Sequence, residues 1–320
     1  MDTTTYNTTF AEDVRKGLNA EQKYLSSKYF YDAKGDKLFQ KIMNLPEYYL
    51  TRSEFAILEK YKETILKPFV DLSRKFNLVE LGAGDGLKTR ILLQHLYSQK
   101  VPFDYYPIDI SGSVLRELQD SLQIEFPDLR VHGVENTYIK ALKEKKWDQM
   151  HPTLMIFLGS NIGNFLEVEA MELMASLADA LDHGEMLLVG FDLKKDPDLI
   201  LQAYNDSQGI TRDFNLNVLT RINRELGGDF DTMKFKHWPV YDPVSGECKS
   251  YLISNEKQRV TIAALDQEFI FQKAEPIFTE VSKKSSVREI EKYAEKNGFE
   301  VMANYMDDKA CFTDSLWRKK

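Results

Sequence analysis

An apolar run, Asn77-Leu78-Val79-Glu80-Leu81, carries an acid near its end and turns through Gly82, Gly84 and Gly86 before an amphipathic stretch begins at Leu87. Glycines at alternate positions let a chain turn tightly and leave room for a ligand against bare backbone. A strand, such a turn and a helix in succession form the unit that holds a nucleoside cofactor at the carboxyl end of a parallel strand. The spacing selects the cofactor. A dinucleotide fingerprint reads G-x-G-x-x-G, so that a helix N-terminus faces a pyrophosphate. Here the third glycine arrives one residue early, and Leu87 stands where the fingerprint needs glycine. Glu80, before the first glycine, and Asp109, at the end of the next apolar run, would repel a phosphate. Carboxylates suit a cationic sulfonium and amino group and accept hydrogen bonds from ribose hydroxyls. The pattern therefore points to S-adenosyl-L-methionine (SAM) and away from a nicotinamide dinucleotide.

The elements that must position this loop follow from periodicity. Strands are expected at 78–81, 103–110, 129–132, 154–158 and 185–192, and helices at 87–98, 113–122 and 166–181. The run at 154–158 is apolar throughout, as a strand buried on both faces should be. Such alternation specifies a doubly wound α/β domain. After Asp192 the pattern changes: helices at 197–206 and 214–226 precede strand-like pieces at 235–241, 249–254, 258–264, 268–272 and 277–281. Turn signals such as Asp242-Pro243 and Ser245-Gly246 separate them, as in an inserted antiparallel sheet. A helix at 286–297 and a hairpin of 299–305 with 310–316, turning at Asp307-Asp308-Lys309, read as a return to the first domain.

The bulk numbers narrow the class of function. The chain has 320 residues and a net charge of −8, from 42 basic and 50 acidic side chains. That balance argues against nucleic acid as a partner, because phosphate binding needs a basic field. Cys248 and Cys311 make no C-x-x-C pair, and the five histidines lack metal-ligand spacing. No metal is expected. Met1–Tyr6 is polar, without the apolar core of a signal peptide, and no run reaches membrane-spanning length. The expectation is a cytoplasmic monomer acting on a small molecule.

The glycine loop with Pro107-Ile108-Asp109 resembles a class I SAM-dependent methyltransferase, and an ordered set of further segments narrows the match. Tyr31-Asp32-Ala33-Lys34-Gly35 and Leu45-Pro46-Glu47-Tyr48-Tyr49-Leu50-Thr51-Arg52 precede the loop. Phe157-Leu158-Gly159-Ser160-Asn161-Ile162-Gly163-Asn164-Phe165 follows it, then Ala203-Tyr204-Asn205-Asp206, Ile222-Asn223-Arg224-Glu225-Leu226-Gly227 and Thr279-Glu280-Val281-Ser282-Lys283. Together these resemble the histidine-specific Nα-methyltransferases of the ergothioneine pathway, from about Phe30 to the C-terminus. That family trimethylates the amino group of free histidine to give hercynine. The fold implied is α/β, a Rossmann-like class I methyltransferase domain with an inserted α+β substrate-binding domain. Residues 1–55 would contribute to the substrate domain, 56–195 would bind SAM, 196–285 would be the insert, and 286–320 would return.

The resemblance also implies roles. Glu80, Gly82, Gly84, Gly86, Lys88, Asp109 and Glu135 would serve the cofactor. Tyr31, Tyr48, Gly159, Asn164, Tyr204, Ser250, Glu280 and Ser282 would serve the substrate. Three tyrosines near a nitrogen becoming quaternary make sense, because ring faces attract a cation that lacks N–H groups. Glu280 and Ser282 are two apart in an expected strand and share a face. In the family that pair reads the imidazole, a carboxylate accepting one ring N–H while a hydroxyl serves the other nitrogen. The reaction would be direct in-line methyl transfer, with Tyr48 or Asn164 holding a water that takes the amine proton. Two positions depart from the family pattern. The acid that meets the adenine amino group is expected where Val134 stands, which leaves Glu135 one residue displaced. The methionine under the substrate side chain is replaced near Ser250, which leaves tryptophan-derived amines open as substrates. A SAM-binding module without catalysis is the alternative of another class.

Overall fold

The computed structural model describes residues 8–70 and 74–320, so the expectation at Met1–Tyr6 lies outside the described residues. The chain forms two units, Met1–Tyr49 with Lys195–Ser282, and Leu50–Lys194 with Lys283–Lys320.

In chain order the elements begin with α1 (Thr8–Asn19), α2 (Ala33–Met43) and α3 (Tyr49–Val70). Then come β1 (Phe76–Leu81), α4 (Thr89–Ser98), β2 (Phe103–Asp109), α5 (Gly112–Glu125), β3 (Arg130–Val131), β4 (Val134–Glu135) and α6 (Tyr138–Glu144). They continue as β5 (Thr153–Phe157), α7 (Glu167–Ala180), β6 (Met186–Asp192), α8 (Pro197–Tyr204) and α9 (Ile210–Leu226). The antiparallel region holds β7 (Phe235–Asp242), β8 (Glu247–Ser254), β9 (Gln258–Ile262), β10 (Gln267–Phe271) and β11 (Pro276–Lys283). The chain closes with α10 (Val287–Lys296), β12 (Phe299–Met306) and β13 (Phe312–Lys319).

The larger unit is built on an eight-stranded sheet in the order β12-β13-β6-β5-β1-β2-β3, with β4 also paired to β2. Strands β1 to β6 run parallel, and β13 pairs antiparallel to β6 and β12. Every residue of β1 and β5 is buried, as parallel strands covered on both faces require. The chain order reverses at β1, which has β2 on one side and β5 on the other. At such a switch point the connections leave in opposite directions, opening a crevice at the carboxyl ends of the strands. The turn joining β12 to β13 is fixed by Asp307, whose Oδ1 accepts the N–H groups of Cys311 at 2.7 Å and Phe312 at 2.8 Å.

The smaller unit packs around α9. Phe214, Val218, Leu219, Ile222 and Leu226 line its buried face, and Gly227 ends it in the left-handed region at φ 64°. The expected single inserted sheet is two: β11-β8-β7, and the hairpin β9-β10. An N-terminal segment joins β11, where Tyr24 bridges Phe278 in parallel. The expected third strand is also divided, because the chain leaves β2 at His132-Gly133 and rejoins it at Val134. Among the described residues no helix is long and apolar enough to cross a membrane.

Candidate active site

The glycine loop lies at the carboxyl end of β1. Gly82, Gly84 and Gly86 have φ of 72°, 53° and 66°, a region that L side chains rarely enter. A Cβ on Gly84 would meet nothing within 4 Å, so this backbone is open to a ligand. Beside it, at the end of β2, Asp109 accepts the Gly84 N–H at 3.1 Å and the Ser111 N–H at 3.0 Å. In parallel register with Asp109 stands Glu135, its carboxylate lying over the bare Cα of Gly112. Val134 turns the other way, into the core. The strand break at Gly133 thus places Glu135, and not Val134, at the edge beside Asp109.

Glu80 is buried beneath the loop. Its oxygens accept from the hydroxyls of Thr89 and Tyr105. Burial raises its pKa to about 7, against the lowering influence of those two hydroxyls and Lys88. Lys88 precedes the first turn of α4, which begins at Thr89 rather than at 87, and its ammonium pairs with buried Glu54 of α3. The segment after β5 turns sharply: Gly159 has φ 78°, Ser160 has φ 55°, and a 3-10 turn spans Asn161–Asn164. Gly163 sits against the chain that returns from β11, where a Cβ would lie 2.7 Å from Lys283 O and 3.1 Å from Lys283 N. The Asn164 side chain makes no hydrogen bond among the described residues and is half-buried.

In the smaller unit the expected tyrosines form a chain of rings. Tyr31 packs edge-on to Phe39 at 5.6 Å, Phe39 to Tyr48 at 6.4 Å, and Tyr48 to Tyr204 at 6.5 Å. The Tyr204 hydroxyl is 2.7 Å from Ser282 Oγ. Tyr31, Tyr48, Tyr204 and Ser282 are therefore brought together, and Glu280 lies on the same strand as Ser282. Along β11 burial alternates to Val281 and then breaks, because Val281 and Ser282 are both buried. Ser250 on β8 is buried too, 3.3 Å from His237 Nε2. Burial lowers the His237 pKa to about 4, so this imidazole is neutral at physiological pH.

The residues fit SAM on two grounds: the cradle after β1 is bare backbone, and a carboxylate stands at the adjacent strand end for a ribose. A family model described as a histidine-specific, SAM-dependent methyltransferase matches residues 10–319. The chain belongs to that family. The histidine N-alpha-methyltransferase of Mycolicibacterium smegmatis is 39% identical over 271 residues, 84% of this chain and 82% of that one. Ergothioneine biosynthesis protein 1 of Schizosaccharomyces pombe is 31% identical over 300 residues, covering 92% of this chain and 38% of the longer relative. A 4-dimethylallyltryptophan N-methyltransferase of Epichloe festucae var. lolii is 26% identical over 228 residues, 68% of this chain and 65% of the relative. With family membership, the chain is a SAM-dependent methyltransferase, and the alternative of a module without catalysis gives way.

Sequence reasoning missed several groups of this methyltransferase. A Cβ on Gly82 would lie 2.5 Å from Tyr138 Oη and 3.1 Å from Asn161 Nδ2, so those side chains wall the loop. Asn161 lies inside a motif that the sequence singled out; Tyr138 carries no signal beyond opening a short helix. Phe39 and Phe214, in the ring cluster, and His237, beside Ser250, were given no site role.

Two consequences can be measured. In the folded methyltransferase Glu80 binds its proton more tightly than in the unfolded chain, whose ordinary value is 4.5. Its contribution to stability is present below that value and is lost as pH rises toward about 7. At about 1.4 kcal/mol per pH unit, the loss is on the order of 3 kcal/mol. Glu80→Gln should therefore flatten the parent's decline in unfolding temperature across this interval, read by thermal denaturation at a series of pH values. Parallel curves for variant and parent would contradict it. Gly163→Ala should cost about 1–3 kcal/mol, because backbone atoms of Lys283 face the new methyl and cannot swing aside. An unchanged midpoint in denaturant titration would show that the contact yields freely.

Proposed function

We propose that this methyltransferase transfers methyl groups from SAM to the α-amino group of free L-histidine, three times over, giving hercynine. The observation that carries the reading is the Thr279-Glu280-Val281-Ser282 strand, with Ser282 held by the Tyr204 hydroxyl at 2.7 Å and Tyr48 packed on Tyr204. An imidazole offers one N–H and one lone pair. Glu280 supplies an acceptor for the first and a hydroxyl supplies a donor for the second. A substrate without such a ring would leave these polar groups unpaired, which is the source of selectivity.

SAM supplies a methyl already activated by a positively charged sulfur. What remains for the chain is to bind and orient. Asp109 accepts from the ribose hydroxyls, Glu135 faces the adenine, and the glycine loop with Lys88 and Gly159 holds the methionine portion. Tyr31, Tyr48 and Tyr204 surround the substrate amine and its growing positive charge. The amine must be neutral to present its lone pair. Tyr48 or Asn164 is the group assigned to the water that takes the proton.

Ser250 supports a second reading. Where the resemblance implies a methionine, a small hydroxyl 3.3 Å from His237 Nε2 leaves a roomier, more polar wall. Tryptophan-derived amines are the substrates this would admit. Steady-state methyl transfer to a panel of free amino acids and tryptophan derivatives separates the two. A kcat/KM highest for histidine supports the first reading, and one highest for an indole amine supports the second.

A further inference from the structure

The proposed chemistry uses Lys88 but not the groups that hold it. Glu54 on α3 is fully buried. One of its oxygens receives the Lys88 ammonium and the other the Gly159 N–H at 2.7 Å. Asp314 on β13 is also fully buried, and neither of its oxygens has a hydrogen-bond donor among the described residues. Both carboxyls converge over the bare face of Gly190 on β6. A Cβ there would lie 2.3 Å from Glu54 Oε1 and 3.2 Å from Asp314 Oδ1. Two carboxylates so placed cannot both be charged in a buried site. An acid proton on Asp314 gives its carboxyl the partner it otherwise lacks, because an O–H can donate to Glu54 where an oxyanion cannot.

We infer that Glu54 and Asp314 share one proton, and that this acid pair is the positioning device for Lys88 and Gly159 in the SAM site. The inference rests on the reading of Lys88 as a cofactor residue. With the proton in place, one ammonium, one carboxylate and one neutral acid sum to zero. Loss of the proton leaves a surplus negative charge beside Lys88, which draws the ammonium inward and repels the carboxylate of the methionine portion. Burial first, and then the Glu54 charge, hold the Asp314 carboxyl well above the usual range, with Lys88 opposing. Lys88, ahead of α4, and Glu80 of β1 are charged groups that bear on this cluster. The turn after β5 supplies the Gly159 N–H, and β6 the bare Gly190.

Infrared spectroscopy above the pKa of about 7 of Glu80 reads the proton without SAM. The parent should show the carbonyl stretch of a protonated carboxylic acid, and Asp314→Asn should lose it. Calorimetric SAM titration over a pH series reads the positioning. Affinity of the parent should weaken on the alkaline side as the shared proton leaves, and Asp314→Asn should lack that part of the weakening. No acid band in the parent, or an alkaline decline in Asp314→Asn identical to the parent's, overturns the inference. A parent that shows the acid band but binds no SAM would instead overturn the reading of the cofactor site, so the two failures are distinguishable.

Discussion

Replacing Glu280 with alanine is expected to lower kcat/KM for L-histidine by about a hundredfold or more while leaving the affinity for SAM near that of the parent. The magnitude follows from the loss of a charged acceptor for a ring N–H. Hydrogen bonds to charged groups contribute about 1.5–3 kcal/mol, and a buried partner left unsatisfied adds a penalty of similar size. The loss should be selective. Glu280 belongs to β11 of the smaller unit, whereas the glycine loop, Asp109 and Glu135 belong to the sheet of the larger one. A neutral acceptor in Glu280→Gln should recover part of the activity, because the geometry survives and the charge does not. Histidine turnover by Glu280→Ala at the parental rate, measured by S-adenosylhomocysteine release, would show that this strand does not read the ring.

The mirror experiment lies on the cofactor side. Asp109→Ala should raise the SAM dissociation constant by about a hundredfold, the equivalent of about 3 kcal/mol. Two losses combine. The ribose hydroxyls lose a charged acceptor, and the loop loses the carboxylate that accepts from Gly84 at 3.1 Å and from Ser111 at 3.0 Å. The second loss matters because the three glycines leave the free loop many conformations, and this carboxylate helps to fix one of them. Calorimetry on a variant with parental circular dichroism provides the check. A dissociation constant within about twofold of the parent would remove Asp109 from the site.

The choice of cofactor was largely legible from the chain itself. A run of apolar residues, alternate glycines and an acid at the next strand end are local signals, and the spacing of Gly86 separates SAM from a dinucleotide. Tyr31, Tyr48, Tyr204, Glu280 and Ser282 came from ordered segments resembling a family, and the ring contacts bring the tyrosines to Ser282. Long-range pairing was not legible. Glu54 sits in the polar stretch Thr51-Arg52-Ser53-Glu54, with nothing local to mark it, yet it is fully buried, and Lys88 and Gly159 reach it from other elements. Asp314 lies in the second strand of the expected hairpin, where nothing local marks it. Its burial follows from β13 lying between β6 and β12. The division of the expected sheet into β11-β8-β7 and β9-β10 depends on which strand each edge finds, and alternation along one strand does not carry that information.

Mass spectrometry of the product formed from SAM and L-histidine tests the central claim most directly. The account predicts histidine carrying three added methyl groups, all on the α-nitrogen, with S-adenosylhomocysteine released for each transfer. S-adenosylhomocysteine formed with a tryptophan-derived amine while histidine stays unmodified would contradict it.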